Sequence, residues 1–480
     1  MAQRHRERED KYDVEARFSM PGLDDLVPAG GRLEHTVVHL DSRYFDTKEH
    51  DLLASGVTLR RRTGDTDTGW QLKVPEGKAR TEIRLPADEE AVPGELADLV
   101  RAVRHDRPLA EVARVRTERS VARLRGPDDA TLVEVADDTV HAAASGAAAM
   151  LTQWREVEVE LGAGDPAQLD EVRDRLVQAG ARPSASSSKL ARALDAEPTK
   201  GTSGSLVTTY LRSQYAVLVA GDVALRQHRD AIHATRVATR RIRSTLRIFG
   251  APFDERLAAD LDAELSWYAD ALGEVRDRQV QRARFAAAID ELPDELVVRS
   301  FGDDVDAWLK AEQTARGREL DEALDSPRYL RLLREVRDCA NARPFTEGAG
   351  AAPATLKRLT RRARDKAEKR LRQATRAAAA GADDETVDAA LHRARKAAKR
   401  ARYAVELTGP AHRAKRAKKI IKHYKKRQDL LGAHQDAVVA GQLLRDHATR
   451  VGAELPMTYG LLLAREDEIA RRTREQLTEG

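Results

Sequence analysis

Cysteine is almost absent: Cys339 stands alone among 480 residues, which excludes an internal disulfide and a cysteine-built zinc site. It lies in an apolar-periodic stretch and reads as a small core residue in a reducing compartment. Aromatic residues make up only 4% of the chain. No basic run is interleaved with Phe, Tyr or Trp, so the platforms that stack on nucleic-acid bases are missing. No apolar run approaches the ~20 residues of a membrane-spanning helix. Met1 to Lys11 is charged with no apolar segment behind it, so neither a secretory signal nor an organelle address is expected. These absences predict a cytoplasmic protein without a membrane partner and disfavour nucleic acid.

Acids are scarce where bases crowd. The totals, 83 Lys plus Arg against 79 Asp plus Glu, give a formal net charge of only +4. Between Leu391 and Arg427, however, fifteen Lys and Arg residues face one acid, Glu406. Such a block implies a polyanionic partner, and the lack of aromatics points to phosphate without bases. The chain exceeds one ordinary core of about 100 to 200 residues, so at least two domains are expected.

Up to about residue 195 many segments alternate with a period of two, which predicts strands. They are Glu7 to Val14, Glu34 to Tyr44, Val57 to Arg62, Trp70 to Val74, Thr81 to Leu85, Val115 to Leu124, Leu132 to Val135 and Glu156 to Leu161, about eight in all. Helical stretches lie near Glu95 to Arg104 and Leu169 to Ala179. Several alternating polar positions are Glu, Arg or Lys, which suits a barrel with a charged lumen or a sheet with a charged solvent face. Residues 196–205, rich in Pro, Gly, Ser and Thr, read as a linker. From 206 to 480 the period changes to 3.6 and Ala, Leu, Arg and Glu dominate, which predicts an all-helical domain.

That helical part repeats itself. His233-Ala-Thr-Arg236-Val-Ala-Thr-Arg240-Arg241-Ile-Arg243 matches His392-Arg-Ala-Arg395-Lys-Ala-Ala-Lys399-Arg400-Ala-Arg402 at every basic position. Leu272-Gly273 with Asp277 matches Leu431-Gly432 with Asp436. Both pairs are 159 residues apart, so two similar helical bundles, 206–345 and 354–480, are expected, joined near Phe345 to Pro353.

On a helix, His233, Arg236, Arg240 and Arg243 fall within an arc of about 80°, with Arg247 inside it. His392, Arg395, Lys399 and Arg402 repeat the stripe, but Glu406 stands where the first copy has Arg247. Lys418, Lys422 and Lys425 extend the basic character of the second copy, whereas the matching stretch of the first carries Asp260, Asp262 and Glu264. A solvated face mixes acid with base, whereas unpaired like charges repel one another and call for an anion. Arginine forks suit phosphate oxygens, and the two histidines would add a pH-tuned charge. The doubled His-x-x-Arg motif, the paired Leu-Gly segments and the two-copy layout resemble the CHAD domain from about Leu206 to the C-terminus. The resemblance implies inorganic polyphosphate binding in a channel lined by Arg236, Arg240, Arg243, Arg395, Lys399 and Arg402. Asp277 and Asp436 are expected to anchor helix ends or to pair with those arginines.

In the first strand Glu7, Glu9 and Lys11 share one face. Two carboxylates with an amine suit a metal-bound phosphate, for Mg²⁺ and Mn²⁺ take hard oxygen donors. Glu156, Glu158 and Glu160 form a second row of carboxylates. Lys11, Arg60, Arg62, Lys73, Arg80, Arg84, Arg116, Arg119 and Lys189 supply cations from separate segments. Glu7-Arg8-Glu9-Asp10-Lys11, Tyr44-Phe45-Asp46-Thr47, Leu59-Arg60-Arg61-Arg62, Leu72-Lys73, Arg116 with Arg119, Glu134 with Asp138, the late Glu-rich strand and Ser188-Lys189 together resemble the CYTH domain. This fold is also called the triphosphate tunnel metalloenzyme, and the match runs from about Arg6 to Leu194. Arg116 departs from it, standing where lysine is common.

That resemblance implies an α+β chain whose N-terminal half is an eight-stranded antiparallel tunnel barrel. One or two divalent ions, Mg or Mn, would rest on Glu7, Glu9 and Glu158, with Glu156, Glu160, Glu134 and Asp138 as further ligands. The strand pairing, not visible in a sequence, decides which of Glu156, Glu158 and Glu160 faces inward. Glu7, Glu9, Lys11 and Lys189 are the expected catalytic group, and the cations would hold inorganic triphosphate. The leading expectation is a metal-dependent inorganic triphosphatase or polyphosphate hydrolase, recruited to polyphosphate and its granules by the helical half. The alternatives are a non-catalytic polyphosphate-binding protein with a degenerate barrel, and a nucleotide-acting relative such as an adenylate cyclase or a thiamine triphosphatase. Oligomeric state has no signature in the sequence.

Overall fold

The computed structural model describes residues 3–64, 68–77, 79–145, 150–195, 204–250, 255–297, 301–341, 353–409, 414–451 and 457–479. The chain forms two compact units, residues 1–200 with 215–229, and residues 201–214 with 230–480. Most of the predicted linker and of the predicted connection at Phe345 to Pro353 lies outside the described residues.

The first unit holds ten strand segments: β1 (Gln3–Glu7), β2 (Glu9–Val14), β3 (Arg32–Asp46), β4 (Thr58–Thr63), β5 (Gly69–Glu76), β6 (Ala79–Leu85), β7 (Ala110–Arg125), β8 (Thr131–Ala144), β9 (Met150–Leu161) and β10 (Arg182–Pro183). They hydrogen-bond in the order β1-β6-β5-β4-β3-β7-β8-β9-β2-β10. β1 and β2 are one run broken only at Arg8, yet β1 pairs with β6 and β2 with β9, near opposite ends of that order. The antiparallel sheet therefore curls until its ends meet on this first run. Together with the seven long strands that follow, it makes the eight-stranded barrel the alternation predicts.

Helices α1 (Asp51–Ala54), α2 (Gly94–Leu99), α3 (Arg101–Arg104), α4 (Pro166–Gln178) and α5 (Lys189–Ala193) accompany the sheet. α4 starts where Asp165 caps the Ala167 amide at 2.7 Å and Gln168 returns a bond to the Asp165 amide at 2.9 Å, with Pro166 at the first helical position. Its Leu169, Val172 and Leu176 lie against Tyr12, Val133, Val135, Val157 and Val159, each apolar side chain contributing about 1.5–3 kcal/mol on burial. α5 is capped by Ser188, whose hydroxyl accepts from the Ala191 amide at 3.1 Å. Its Leu190 and Ala193 join Tyr44, Val115, Val140 and Trp154 in an apolar cluster. Val115, Val140 and Trp154 share strand parity with Arg119, Asp138 and Glu158, so this cluster packs on the inward face beyond the charged rows.

The second unit is helical. Its elements are α6 (Gly204–Arg226, shared with the first unit), α7 (Ile232–Phe249), α8 (Glu255–Asp290), α9 (Phe301–Asp325), α10 (Pro327–Ala340), α11 (Pro353–Ala379), α12 (Asp384–Thr408), α13 (Ala414–Val451) and α14 (Met457–Glu479). α8 and α13 begin 159 residues apart, the offset of the sequence repeat. α12 is started by Asp383, which accepts from the Thr386 amide at 2.8 Å. No helix among the described residues is long and apolar enough to cross a membrane.

Candidate active site and polyanion cavity

Side chains alternate along a strand, so register decides which charges share the lumen. On one wall Glu9 stands opposite Glu160 and Glu160 opposite Glu134, a row of three carboxylates across β2, β9 and β8. One step deeper Lys11 faces Glu158, and at the floor Glu156 stands between Asp13 and Asp138. All three glutamates of β9 thus point the same way, which the sequence left open. On the other wall Arg60 neighbours Gln71, which neighbours Arg84, and Thr58 neighbours Lys73, which neighbours Glu82. The residues lining the lumen include eight cations, Lys11, Arg60, Arg62, Lys73, Arg80, Arg84, Arg119 and Lys189. They meet five carboxylates, Glu9, Glu82, Glu134, Glu158 and Glu160; with Asp138 and Glu156, which bond Lys189 from below, eight cations face seven acids, an excess of one positive charge.

Most of these groups are already paired. The Lys189 ammonium, brought in by the first residue of α5, lies 2.8 Å from Asp138, 2.6 Å from Glu156 and 2.7 Å from Glu158. Arg119 forks Asp138 at 2.8 and 2.7 Å and reaches Glu158 at 2.6 Å, while Lys11 also bonds Glu158. Burial pushes the Glu158 carboxyl up, but Lys11, Lys189 and Arg119 outweigh it and hold the group well below the carboxylate range. For Asp138, burial is outweighed by Lys189 and Arg119. For Glu9, it is outweighed by Lys11, with help from Lys73 and Arg80. Burial would likewise lower Lys11, but Glu158 and Glu9 keep it raised. The Tyr44 hydroxyl accepts from Arg60 at 3.2 Å and, despite burial, is lowered by Arg60 and Arg62.

The structure thus assembles Glu9, Lys11, Glu158, Glu160, Arg60, Arg62, Lys73, Arg80, Arg84, Arg119 and Lys189 around one lumen. Arg116 is a correction. It is on the outer face, 67% exposed and 3.5 Å from Asp41, because it stands three positions from Arg119 and an odd spacing on a regular strand points to the opposite face. Glu156 belongs to the floor, bonded by the Trp154 indole at 2.6 Å and by Lys189, and it does not line the lumen. Glu7 is held in β1 opposite Arg80; its side chain lies outside the described residues. Glu82, fully buried and 3.7 Å from Lys73, was missed. Its signal was present in Arg80-Thr-Glu82-Ile-Arg84, where period two places the acid with its flanking cations.

Oxygen atoms of Asp138, Glu156 and Glu158 lie within 4.8 Å of one another, but the Lys189 ammonium already neutralises that triad. The row Glu9, Glu160 and Glu134 is a second carboxylate set on adjacent strands. Like charges at directly opposed positions destabilise a sheet, and hard oxygens on adjacent strands match Mg²⁺ or Mn²⁺. Glu134 is shared with Arg123 at 2.7 Å, and Glu9 lies 3.4 Å from Lys11 and 3.9 Å from Arg80.

In the helical unit a cavity of about 710 Å³ lies among α7, α8, α12 and α13. Nine cations line it, Arg236, Arg240, Arg243, Arg247, Arg276, Arg395, Lys396, Lys399 and Arg400, with His233 and His392, against only Asp270, Asp277 and Asp436. The buried Nε atoms of Arg240 and Arg395 have no hydrogen-bond partner, a costly state that an anion would relieve. Burial lowers Lys399 to about 7, assisted by Arg395, Arg240 and Arg236. Burial and nearby cations also lower His233 and His392, although Gln435 partly offsets this at His392.

The repeated Gly and Asp serve the arginines. Arg236 crosses α8 at Gly273, where a Cβ would lie 2.9 Å from its guanidinium, and bonds Asp277 at 2.6 Å. Arg395 crosses α13 at Gly432, 3.6 Å from a would-be Cβ, with Asp436 3.6 Å away. Both aspartates lie within long helices and act as partners of arginine.

One residue expected in the channel, Arg402, and three expected to bind polyphosphate, Lys418, Lys422 and Lys425, are placed outside the cavity. Arg402 pairs with Glu406 at 3.2 Å beside the Tyr403 ring and does not line the cavity. The acid that replaces the Arg247 position draws it aside, as it does Arg241 at 3.1 Å. Lys418, Lys422 and Lys425 are exposed on the first half of α13, whereas only its second half borders the cavity, through Gln435, Asp436 and Val439. Lys396 and Arg400 stand in the lining instead. They belonged to the visible basic block but lie off the repeated stripe.

A model of the CYTH domain matches residues 12–194 and a model of the CHAD domain matches residues 209–445. An uncharacterized protein of Mycobacterium tuberculosis is 38% identical over 504 residues, covering 99% of this chain and 95% of that protein. Among solved structures, PptA from Streptomyces chartreusis is 25% identical, with a TM-score of 0.46 over 58% of this chain and 100% of its own. The CHAD domain from Ricinus communis is 25% identical, with a TM-score of 0.44 over 57% of this chain and 92% of its own. The charged barrel, the basic helical cavity, the two ordered domain matches and the near full-length relative lead to one conclusion: this chain belongs to the family in which a CYTH domain is followed by a CHAD domain.

Proposed function

We propose that the barrel is a metal-dependent phosphoanhydride hydrolase acting on inorganic triphosphate, and that the helical cavity binds inorganic polyphosphate. The observation that carries the first part is the carboxylate row Glu9, Glu160 and Glu134 set against eight lumen cations. The CYTH family includes triphosphatases and adenylate cyclases. Tyr44 is the sole aromatic residue among the described lumen residues, and its hydroxyl bonds Arg60, so no ring face is offered to a nucleobase. That supports an inorganic substrate over ATP or thiamine triphosphate.

In this reading Glu9 and Glu160 would be the main holders of a Mg²⁺ or Mn²⁺ ion, which would supply Lewis-acid stabilisation of the charge that develops on the phosphate oxygens. Arg60, Arg80, Arg84 and Lys73 bind the chain from the opposite wall. Lys189 and Arg119, fixed by Asp138, Glu156 and Glu158, are held rigidly at the inner part of the lumen and orient the terminal phosphoryl group. A water aligned by Glu9 attacks that phosphorus, the bridging P–O bond breaks, and orthophosphate separates from the shortened chain. The water's proton passes to phosphate oxygen or solvent. The depressed Glu9 carboxyl is suited to orienting the water rather than to early proton removal, and a loose phosphoryl-transfer transition state needs little base assistance. The helical cavity would retain polyphosphate near the enzyme and gather the protein where such chains accumulate.

Phosphate release is to be measured with tripolyphosphate, ATP and thiamine triphosphate, each with Mg²⁺ or Mn²⁺. Turnover mainly of tripolyphosphate is expected. A preference for ATP or thiamine triphosphate would reassign the barrel to nucleotide or thiamine chemistry.

A further inference from the structure

We infer that the exposed face shared by α11 and α13 is a second binding surface, separate from the cavity, for long linear polyphosphate. This rests on the polyphosphate reading of the helical unit and extends it to chain length.

On α13, Lys415, Lys418, Lys419, Lys422, Lys425 and Lys426 are all exposed. They recur at the three- and four-residue spacing of one helix stripe. On α11, Arg358, Arg361, Arg362, Lys366 and Lys369 form a matching exposed stripe, with Asp365 its only acid. The two helices meet through Glu368, whose carboxylate accepts from Arg427 at 2.7 Å and from the Tyr424 hydroxyl at 3.2 Å. Thr360 of α11 approaches Thr408 of α12, and Ala374 of α11 clusters with Val387 and Ala394 of α12. His392 of α12 bonds Gln435 of α13, while Ala401 packs with Tyr424. Both helices therefore run antiparallel to α12 and parallel to each other, so their basic stripes lie side by side. Each stripe extends about 17 Å at 1.5 Å per residue.

None of these eleven cations forms a salt bridge among the described residues, and none lines the cavity. Like charges at helical neighbour spacing repel one another, and an extended polyanion turns that repulsion into attraction by counterion release. The chemistry differs from that of the cavity. There arginine forks predominate, whereas the α13 stripe is lysine, a hydrated point charge suited to a mobile chain rather than to fixed oxygens. The face also argues against other polyanions. Tyr424 is buried, so no exposed Phe, Tyr or Trp on the described face can stack on bases. None of the exposed large hydrophobic residues, Val37, Leu151, Val177, Val439 and Met457, lies in either stripe, so nothing is presented for insertion into a lipid surface.

The test uses the full chain with Lys418, Lys422, Lys425 and Lys426 all changed to Gln, beside Arg240→Ala as a cavity control. Circular dichroism verifies folding. Affinity is measured for polyphosphate of about 10 and about 100 units over a range of salt, and for duplex DNA of about 30 base pairs. The quadruple variant should bind the long chain at least about tenfold more weakly, with a salt slope shallower by about 3, and the short chain as wild type does. Arg240→Ala should weaken both. Unchanged long-chain affinity and slope in the quadruple variant would overturn the second surface. So would loss of DNA binding with polyphosphate binding intact, which would mark the face as a nucleic-acid surface. Wild-type protein that binds neither polyphosphate would instead overturn the underlying cavity reading.

Discussion

The two charged interiors of this protein solve opposite problems. In the barrel, Lys11, Arg119 and Lys189 are matched to Asp138, Glu156 and Glu158 within a buried network. In the helical cavity nine cations face three lining acids; Arg236 pairs with Asp277 and Arg243 and Arg247 with Asp262, but the excess remains, and the Nε atoms of Arg240 and Arg395 have no partner. Paired charge in a low-dielectric interior fixes side-chain positions, as a site that must place atoms for reaction requires. Unpaired charge stores repulsion that a ligand discharges, as a site that only needs to hold a polyanion requires. The barrel should therefore lose stability when a charge is removed, and the cavity should lose affinity.

The largest break in that contrast is Lys189→Met. It leaves three buried carboxylates one cation short, and removing one partner of a buried ion network costs about 3–5 kcal/mol. Urea denaturation followed by circular dichroism should show the barrel transition moving to lower urea; an unmoved midpoint would mean the network is not what holds the floor. Arg240→Ala should do the reverse. The melting temperature should hold or rise as repulsion is relieved, while polyphosphate affinity falls about tenfold and the salt slope flattens by about 1; a salt titration of binding reads both.

A third effect is set by pH. Lys399, lowered to about 7 by burial and by Arg395, Arg240 and Arg236, is charged below that value and neutral above it. A bound polyanion favours the charged form, so polyphosphate affinity should fall severalfold as pH rises from about 6 to about 8.5. Calorimetry near pH 7.5 in two buffers of different ionisation enthalpy should register proton uptake on binding. His233 and His392, pushed below the usual histidine value, add charge only in more acidic solution. Lys399→Arg should flatten the profile. The smallest effect separates the two copies of the repeat. Gly273→Ala must displace the Arg236 guanidinium, whereas Gly432→Ala leaves Arg395 in ordinary contact. Polyphosphate affinity should drop a few-fold in the first and scarcely change in the second, with both melting temperatures close to wild type.

Much of this was legible from periodicity. Alternation located the long strands, and the 159-residue offset anticipated the matching starts of α8 and α13. What escaped depended on placement in space. Arg116 could have been separated from Arg119 by odd spacing alone, but the inward set of β9 needed the pairing of Lys11 with Glu158. That Lys189 would neutralise the tightest carboxylate cluster followed from where α5 packs on the barrel, a tertiary event without a local signature. Lys418, Lys422 and Lys425 continue the basic run of the second copy, and the sequence could not say whether they share the cavity with the repeated stripe. α13, with 38 residues, is about 57 Å long at 1.5 Å per residue, and they stand on the part that does not border it. Arg402 went astray for a different reason: the Glu406 that breaks the repeat was visible, but its pull on a neighbouring arginine was not.

The proposed hydrolase depends on the carboxylate row Glu9, Glu160 and Glu134. Its most direct test is phosphate release from tripolyphosphate across a Mg²⁺ and Mn²⁺ titration, by wild type and by Glu160→Gln, with urea denaturation as a check on folding. Metal-dependent release by wild type, reduced about a hundredfold or more in a folded variant that needs a higher metal concentration, is the predicted result. No release by wild type with either metal, or release that Glu160→Gln leaves unchanged, would contradict it.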